Sequence, residues 1–461
     1  MTTENEIIND SLNILDQITY DNSIESFNYS DYRPQSQMDI DQRGAPIQID
    51  ILASDNYLIP SKSYLVIKGQ LVRNDNDNPF GVNDQITLVN NAMMYLFSEV
   101  IYTAAGTIME RITNPGQVTS MLGYLSQPDD YNTSSALKSC WSKDTTIHAN
   151  SIKYVQSPAI AAGAIAAGAV TPTENENYNQ GFATRRGLLM SAEPRGSFSF
   201  IIPFNHIFGF GDYNKVIHNV KHSLTLTRNS TDNLAIHRAH GVADGKINLT
   251  NITWRVPHIT VETGTKMSLR SIIESKQTIP VAFPARTCES STVPQTHTFS
   301  WRANVSSGIE KPRWIIVGFQ TAKNRTQEQN PAVFDNLNLT NAYVSLNGGK
   351  YPLYDVVYNF PLNDYSVLYE MFDSFKKEFY GLNSLVGGTQ VNFATFKTLF
   401  PIIVFDVRHQ SETIKTGVVD MQLNFTFNDP VPADTKAYSI IISDRRFKLK
   451  SDGKNMNLLS Y

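Results

Sequence analysis

Apolar and polar residues alternate one by one along several stretches of this chain. Ile47, Ile49 and Ile51 are interleaved with Gln48 and Asp50, and Val220, Leu224 and Leu226 with Lys221, Ser223, Thr225 and Thr227. Met421, Leu423, Phe425 and Phe427 are interleaved with Gln422, Asn424 and Thr426. A period of two predicts strands with one dry face and one wet face. Other runs are predominantly apolar: SFSFIIPF at 197–204, WIIVGF at 314–319 and LFPIIVF at 399–405. Their length suits strands buried on both sides. Further strands are expected at 64–72, 254–262, 278–283, 296–301 and 438–443. Helical spacing occurs twice. Asn114-Pro115 opens a stripe of Val118, Met121, Leu122 and Leu125, and Phe360-Pro361 opens one of Leu362, Tyr365, Leu368, Tyr369 and Phe372. Pro suits the first turn of a helix, whose N–H groups have no partner there.

The order of these elements repeats. Residues 98–125 and 342–372 each read as a strand, a tight glycine turn, a second strand, a break at proline and an amphipathic helix. A buried run and an alternating strand follow in both copies. The turn glycines Gly106 and Gly348 lie 242 positions apart, whereas the buried runs, matched at Ile201 and Ile402, lie 201 apart. The first copy therefore carries 41 more residues in that interval, and AIAAGAIAAGAV at 159–170 reads as an inserted loop. A supersecondary unit written twice implies two similar domains. Each half holds about eight strand candidates and one helix. That pattern predicts an all-β chain of two tandem eight-stranded jelly rolls, each with a short helix after a hairpin. The expected boundaries are an N-terminal arm at 1–35, a first roll at 36–265 and a second at 266–461, with the linker at 263–275.

The 461 residues are 41% hydrophobic and 18% charged, with 24 Phe, 21 Tyr and a net charge of −4. Such a chain can bury real cores and is no polyanion binder by bulk charge. The N-terminus MTTENEIINDSLNILD is acidic and lacks the pattern of a signal peptide, and no apolar run approaches the ~20 residues of a membrane span. A protein made and kept inside a cell is expected. Cys140 and Cys288 fall in different halves and read as unpaired thiols.

Searching for chemistry yields little. Gly209-Phe210-Gly211 lacks the third glycine of a dinucleotide fingerprint. Asp75 and Asp77 resemble half a calcium loop without its glycine and distal glutamate, so a solvated turn is expected. His218 and His222 would share one exposed face of a strand, and His237 and His240 flank a loop; neither pair has a visible third metal ligand. No residue is assigned to catalysis, to a cofactor or to a metal. The tail carries Arg445, Arg446, Lys448, Lys450 and Lys454. It reads either as a charged strand edge that resists aggregation or as a contact for a neighbouring subunit or phosphate.

The segments AYVSLNGGKYPL, NFPLNDYSVLYEMF, FPIIVFDVR, VVDMQLNFTF and AYSIIISDRRFKLKSDGKNMNLL, between Ala342 and Leu458, carry a resemblance. In their order they resemble the second jelly roll of the major capsid proteins of the Polinton (Maverick), adintovirus and virophage branch. Those proteins are related more distantly to the capsid proteins of tailless phages and adenoviruses. The first half matches in layout rather than in letters. The resemblance implies a homotrimer whose six rolls make a pseudo-hexagonal capsomer of an icosahedral virion shell, with penton and minor capsid proteins as partners. It implies no enzymatic activity and at most indirect contact with nucleic acid. It makes residues 129–195 a candidate outer crown or inter-subunit loop, and the arm a tie to neighbours. The competing expectations are a tandem jelly-roll carbohydrate-binding protein and a jelly-roll enzyme such as a cupin or glycosidase.

Overall fold

The two hairpins turn identically. A computed structural model describes residues 23–35, 39–155, 173–303, 311–382, 388–410, 419–451 and 456–460. The expected insert at 159–170, the first 22 residues of the arm and Lys454 lie outside the described residues. In the first hairpin Ala104 pairs with Thr107 across Ala105 (φ +48°) and Gly106 (φ +77°). In the second, Leu346 pairs with Gly349 across Asn347 (φ +47°) and Gly348 (φ +84°). Two positive φ values in a two-residue loop make the hairpin turn whose twist matches that of its strands. Ala is poorly suited to the left-handed region that Asn tolerates. Ala105→Asn is therefore expected to stabilise the first roll by roughly 0.5–1 kcal/mol, read as a higher midpoint in chemical denaturation.

The first roll contains β1 (Ile24–Tyr32), β2 (Pro46–Ile51), β3 (Tyr64–Arg73), β4 (Phe97–Ala104), β5 (Thr107–Thr113), β6 (Ser197–Pro203), β7 (His222–Arg228) and β8 (Gly245–Val261). The second repeats them as β9 (Ile279–Thr292), β10 (Thr298–Ala303), β11 (Pro312–Thr321), β12 (Leu339–Leu346), β13 (Gly349–Tyr351), β14 (Ile403–Asp406), β15 (Met421–Phe427) and β16 (Thr435–Ser451). One sheet of the first roll runs β6-β3-β8 with β1 on the other side of β8, and the other runs β2-β7-β4-β5. The second roll has β14-β11-β16-β9 and β10-β15-β12-β13. The two orders coincide strand for strand, and all these pairings are antiparallel. This is the predicted double jelly roll.

The alternating stretches are the strands with one dry face. Leu224 and Leu226 on β7, and Met421, Leu423, Phe425 and Phe427 on β15, are buried, with partly or fully exposed neighbours between them. Phe319 of β11 packs edge-on against Phe425 and Phe427, closing the second sandwich. Helix α1 (Pro115–Ser126) follows the first hairpin and α4 (Ser366–Tyr380) the second, as expected. Each connection to the next strand holds one more helix than expected: α2 (Gln180–Met190) before β6, and α5 (Phe393–Leu399) before β14. Both start at an Asn, Asn179 or Asn392, whose side chain accepts an N–H of the first turn. The expected linker at 263–275 is a helix, α3 (Thr263–Glu274), capped by the Glu262 carboxylate.

Two expectations are corrected here. Residues 24–32 of the expected arm form β1, so the sheet of the first roll begins at Ile24. The basic run lies within β16 and is no free edge. Phe447, Lys448 and Leu449 pair with Val281, Pro280 and Ile279 on one side and with residues of Met456–Ser460 on the other.

Candidate assembly surfaces

The two rolls share a continuous core, and the seam between them uses different faces of each. From the first roll come β5, α1 and the loop 207–212. From the second come the outer face of the β9-β16-β11 sheet, the loops that hold Pro331 and Gln390, and helix α4, which packs on α1. Thr113 donates to the Cys288 carbonyl (2.8 Å), and Tyr95 and Tyr124 reach the Pro331 (2.8 Å) and Ala332 (2.9 Å) carbonyls. Gln390 donates to the Gly123 carbonyl (2.8 Å) and accepts from the Trp141 indole (3.2 Å). Met121 approaches the bare backbone at Gly318, where a Cβ would lie 2.9 Å from its sulfur.

A carboxylate sits at the centre of this seam. Glu110 on β5 is buried, and its oxygens accept the N–H groups of Phe210 (2.7 Å), Gly209 (3.1 Å) and Arg286 (2.9 Å). Burial pushes its carboxyl up to about 7, against the pull of those N–H donors and of the nearby Arg286 charge. The Arg286 guanidinium donates to the His206 (2.9 Å) and Ile207 (3.2 Å) carbonyls. Gly209-Phe210-Gly211 thus holds an internal carboxylate. Gly209 must be glycine because a Cβ there would lie 1.7 Å from the Pro284 carbonyl oxygen.

A second buried cluster centres on Asp144. Its carboxylate takes Arg185 (2.7 Å) and Asn179 (2.9 Å) on one oxygen and Asn330, from the second roll, on the other (2.9 Å). Arg185 also donates to the Leu88 carbonyl (2.8 Å) and to that of Ser142. The expected crown region at 129–195 is accordingly divided. Ala136, Cys140, Trp141, Asp144, Phe182 and Arg185 are core, whereas Ile147, Ile152, Tyr154 and Val155 face outward.

Among the described residues, two surfaces expose apolar side chains. The connection from β13 to α4 exposes Leu353 (85%), Val357 (68%) and Leu362 (77%). Helix α4 buries Leu368, Phe372 and Phe375 but leaves Ser366, Val367 and Glu370 exposed, while α1 is buried from Pro115 through Leu125. The second is on the outside of the first roll's β1-β8-β3 sheet, where Ile259 is covered by Tyr57, Ile59 and Leu269 but the β1 aromatics are exposed. No residue of β1 is buried. Phe27 meets Tyr29 edge-on (5.6 Å), Tyr29 lies against Tyr64 (5.5 Å), and Arg255 lies 5.9 Å from the rings of Tyr29 and Tyr64.

The remaining sequence candidates are structural. His222 is buried, with Nδ1 2.8 Å from the Tyr102 hydroxyl, while His218 is half-buried and stacks on Tyr57. Asn219, in the left-handed region between them, breaks the strand, so the two do not share an exposed face. His237 is buried edge-on to Phe182, and His240 is exposed 3.2 Å from Glu328. Asp77 sits in a turn and pairs with Lys246 (2.7 Å). Cys140 and Cys288 are free and buried, and burial pushes both thiols up to about 12. Among the described residues no three His, Cys, Asp or Glu side chains are grouped as metal ligands, and no helix is long and apolar enough to cross a membrane. A cleft of about 540 Å³ opens between the rolls. In it Arg313 pairs with Asp444 and Arg408 with Glu378 (2.8 Å), and Arg408 covers the Trp314 ring at 4.6 Å. No sequence pattern marks Glu110, Asp144 or Arg185 as buried, because their neighbours along the chain carry no sign of it.

A family model described as a double jelly roll-like domain matches residues 167–447. Among curated proteins, no sequence matches. Solved structures of similar fold include three that follow the chain along most of its length. The cryo-EM structure of the Sputnik virophage is 11% identical with a TM-score of 0.55, over 99% of this chain and 92% of that one. The Faustovirus major capsid protein is 9% identical with a TM-score of 0.55, over 94% of this chain and 92% of that one. The mavirus major capsid protein is 13% identical with a TM-score of 0.50, over 94% of this chain and 90% of that one.

Proposed function

The chain belongs to the double jelly roll-like family, and from that premise we propose that it is the major capsid protein of a virus of the Polinton, adintovirus and virophage kind. Three copies associate into a pseudo-hexagonal capsomer, and capsomers tile an icosahedral shell together with penton and minor capsid proteins. The chain acts as a structural subunit and not as an enzyme, and its place is the virion.

The observation that carries this reading is the duplication with a stiff seam. Two rolls of one topology are joined by a continuous core and by hydrogen bonds across their boundary. A two-roll block used three times around an axis presents six similar modules, so a three-fold object can fill a hexagonal lattice. Likeness in fold to the Faustovirus major capsid protein and to a chain of the Sputnik virophage structure, across more than nine-tenths of this chain, supports the same role. The cleft beside Trp314 argues little for sugar binding, because Arg408 occupies the ring face that a sugar would need.

Sedimentation and electron microscopy of the purified full chain test the proposal. A stable trimer of about 155 kDa, three times the 51.7 kDa chain, or larger shell-like particles, is the expected result. A monomer at all concentrations that binds oligosaccharides would overturn it.

A further inference from the structure

The ladder of β1 on β8 ends where Ile24 pairs with Val261 and the Glu262 N–H donates to the Ser23 carbonyl (3.0 Å). The two strands are antiparallel, so residue 22 joins the fold beside the first turn of α3. No residue of α3 is buried, and Met267 and Ile272 are exposed on it. Its Leu269 leans, with Val261, on the small cluster of Tyr57, Ile59 and Ile259. Ile24 and Phe27 lie across the ladder from Val261 and Ile259, on the same side of the sheet, and stay exposed. Ile272 is one helical turn from Leu269, so Ile24, Phe27 and Ile272 border one apolar patch around that cluster. The rim of the patch is basic. Lys62 lies 5.7 Å from the Phe27 ring, Lys266 and Arg270 stand on α3, and Lys276 follows it. β16, beside α3, adds the exposed Arg446 and Lys450. Arg270 is paired with Glu274, but Lys62, Lys266 and Lys276 form no ion pair among the described residues.

The chain carries a segment that matches this patch in pattern and charge. Residues 1–22 hold Glu4, Glu6, Asp10, Asp16 and Asp21, and no Lys or Arg. At about 100° per residue, Ile7, Ile8, Leu12, Ile14, Leu15 and Ile18 fall on one side of a helical wheel. Glu6, Asp10, Asp16 and Asp21 fall on the other. A stripe of this kind is stable only against an apolar surface. We propose that residues 6–21 dock along α3 of the same copy, with the stripe on the patch of Ile24, Phe27 and Ile272 and the acidic residues beside Lys62, Lys266 and Lys276. Three observations single out this occupant. First, only Asn22 and Ser23 separate Asp21 from β1, so the segment enters at the edge of the patch. Second, the lengths agree: residues 6–21 would make a helix of about 24 Å, and α3 is about 18 Å long. Third, an acidic segment meets a basic rim. A nucleic acid or an anionic bilayer at this end would have to displace an anion that the chain itself supplies. The contact needs one copy only, so it holds whether or not copies assemble into capsomers.

Hydrogen–deuterium exchange of the full chain tests the contact. Ile8→Asp/Leu12→Asp/Leu15→Asp removes the stripe. It is expected to speed amide exchange across α3 by about tenfold or more, while β7 and β15 exchange as in the wild type. Asp16→Lys/Asp21→Lys and Lys266→Glu/Lys276→Glu should each speed it by about fivefold. Combined in one chain, the two reversals should restore the wild-type rate. Exchange across α3 that is unchanged in the stripe variant would overturn the proposal, and so would reversals that simply add. Should Lys266→Glu/Lys276→Glu fail to fold, carbodiimide coupling of the wild type decides instead, since it joins carboxylates to lysines in direct contact. In a mixture of light- and heavy-isotope copies, links from Asp10, Asp16 or Asp21 to Lys62, Lys266 or Lys276 are expected within single copies. The same links joining light copies to heavy ones would sink the proposal, as would links from these aspartates to other lysines alone.

Discussion

Replacing Asp144 with Ala is expected to destabilise the chain by about 3–5 kcal/mol, although the residue touches no solvent and no catalytic group. The change leaves the Arg185 guanidinium, itself about 1% exposed, without its counter-ion and strips an acceptor from Asn179 and Asn330. A charge stranded in a dry interior costs more than the pair gained, which separates this pair from the exposed Arg270–Glu274 contact, worth at most about 0.5 kcal/mol. Because Asn330 belongs to the second roll, the loss should lower the denaturation midpoint of both rolls together, in one transition. Arg185→Met combined with Asp144→Leu removes both charges at similar volume and is expected to recover most of the loss. A double variant no more stable than Asp144→Ala, or separate melting of the rolls, would refute the account.

Glu110→Ala should be about as damaging at neutral pH, on the order of 3–5 kcal/mol, since three buried N–H groups lose their only described acceptor. Its pH signature is distinctive. A glutamate of the unfolded chain titrates near 4.5, whereas burial holds Glu110 near 7. Between those values the folded chain keeps a proton that the unfolded chain has released. The stability this group contributes is therefore complete below pH 4.5 and is lost as pH rises toward 7. Three buried histidines act in the opposite sense. Burial lowers His206, His222 and His237 from 6.5 to about 4. Their contribution is complete above pH 6.5 and is lost as pH falls to about 4. The shifts are of similar size, so three groups outweigh one, and wild-type stability should fall as pH drops from about 6.5 to 4.5. In Glu110→Ala the opposing glutamate is gone, so that fall should be steeper by roughly one proton. Denaturation midpoints at half-unit pH steps for both proteins measure this. Parallel profiles would mean that Glu110 does not titrate in that window.

The strands legible in the sequence are those whose burial is local. Met421 to Phe427 alternates because one face of β15 meets its own sandwich and the other meets water, so seven neighbouring letters report the environment. The repeat was legible for the same reason: each hairpin turn demands left-handed residues, and Gly106 and Gly348 mark both. β1 escaped notice. Its core-directed positions are Ser26, Asn28 and Ser30, opposite Thr260, His258 and Val256, so its alternation is between polar and aromatic residues. Glu110 and Asp144 escaped because what buries them lies 99 or more positions away for the first and reaches 186 for the second. The apparent histidine pair misled because a backbone break at Asn219 intervenes, and spacing in the sequence does not register a left-handed residue.

The sequence by itself determined that this protein is β-rich, that it is written twice, where its turns and most of its strands fall, and which family's ordering it resembles. Only the tertiary structure decided how the two rolls meet: the hairpin and helix of one on the sheet face of the other, with carboxylates sealed between them. Local alternation records whether a residue faces its own sheet's core or water. A contact between rolls joins residues hundreds of positions apart, and only the folded chain brings them within hydrogen-bonding distance.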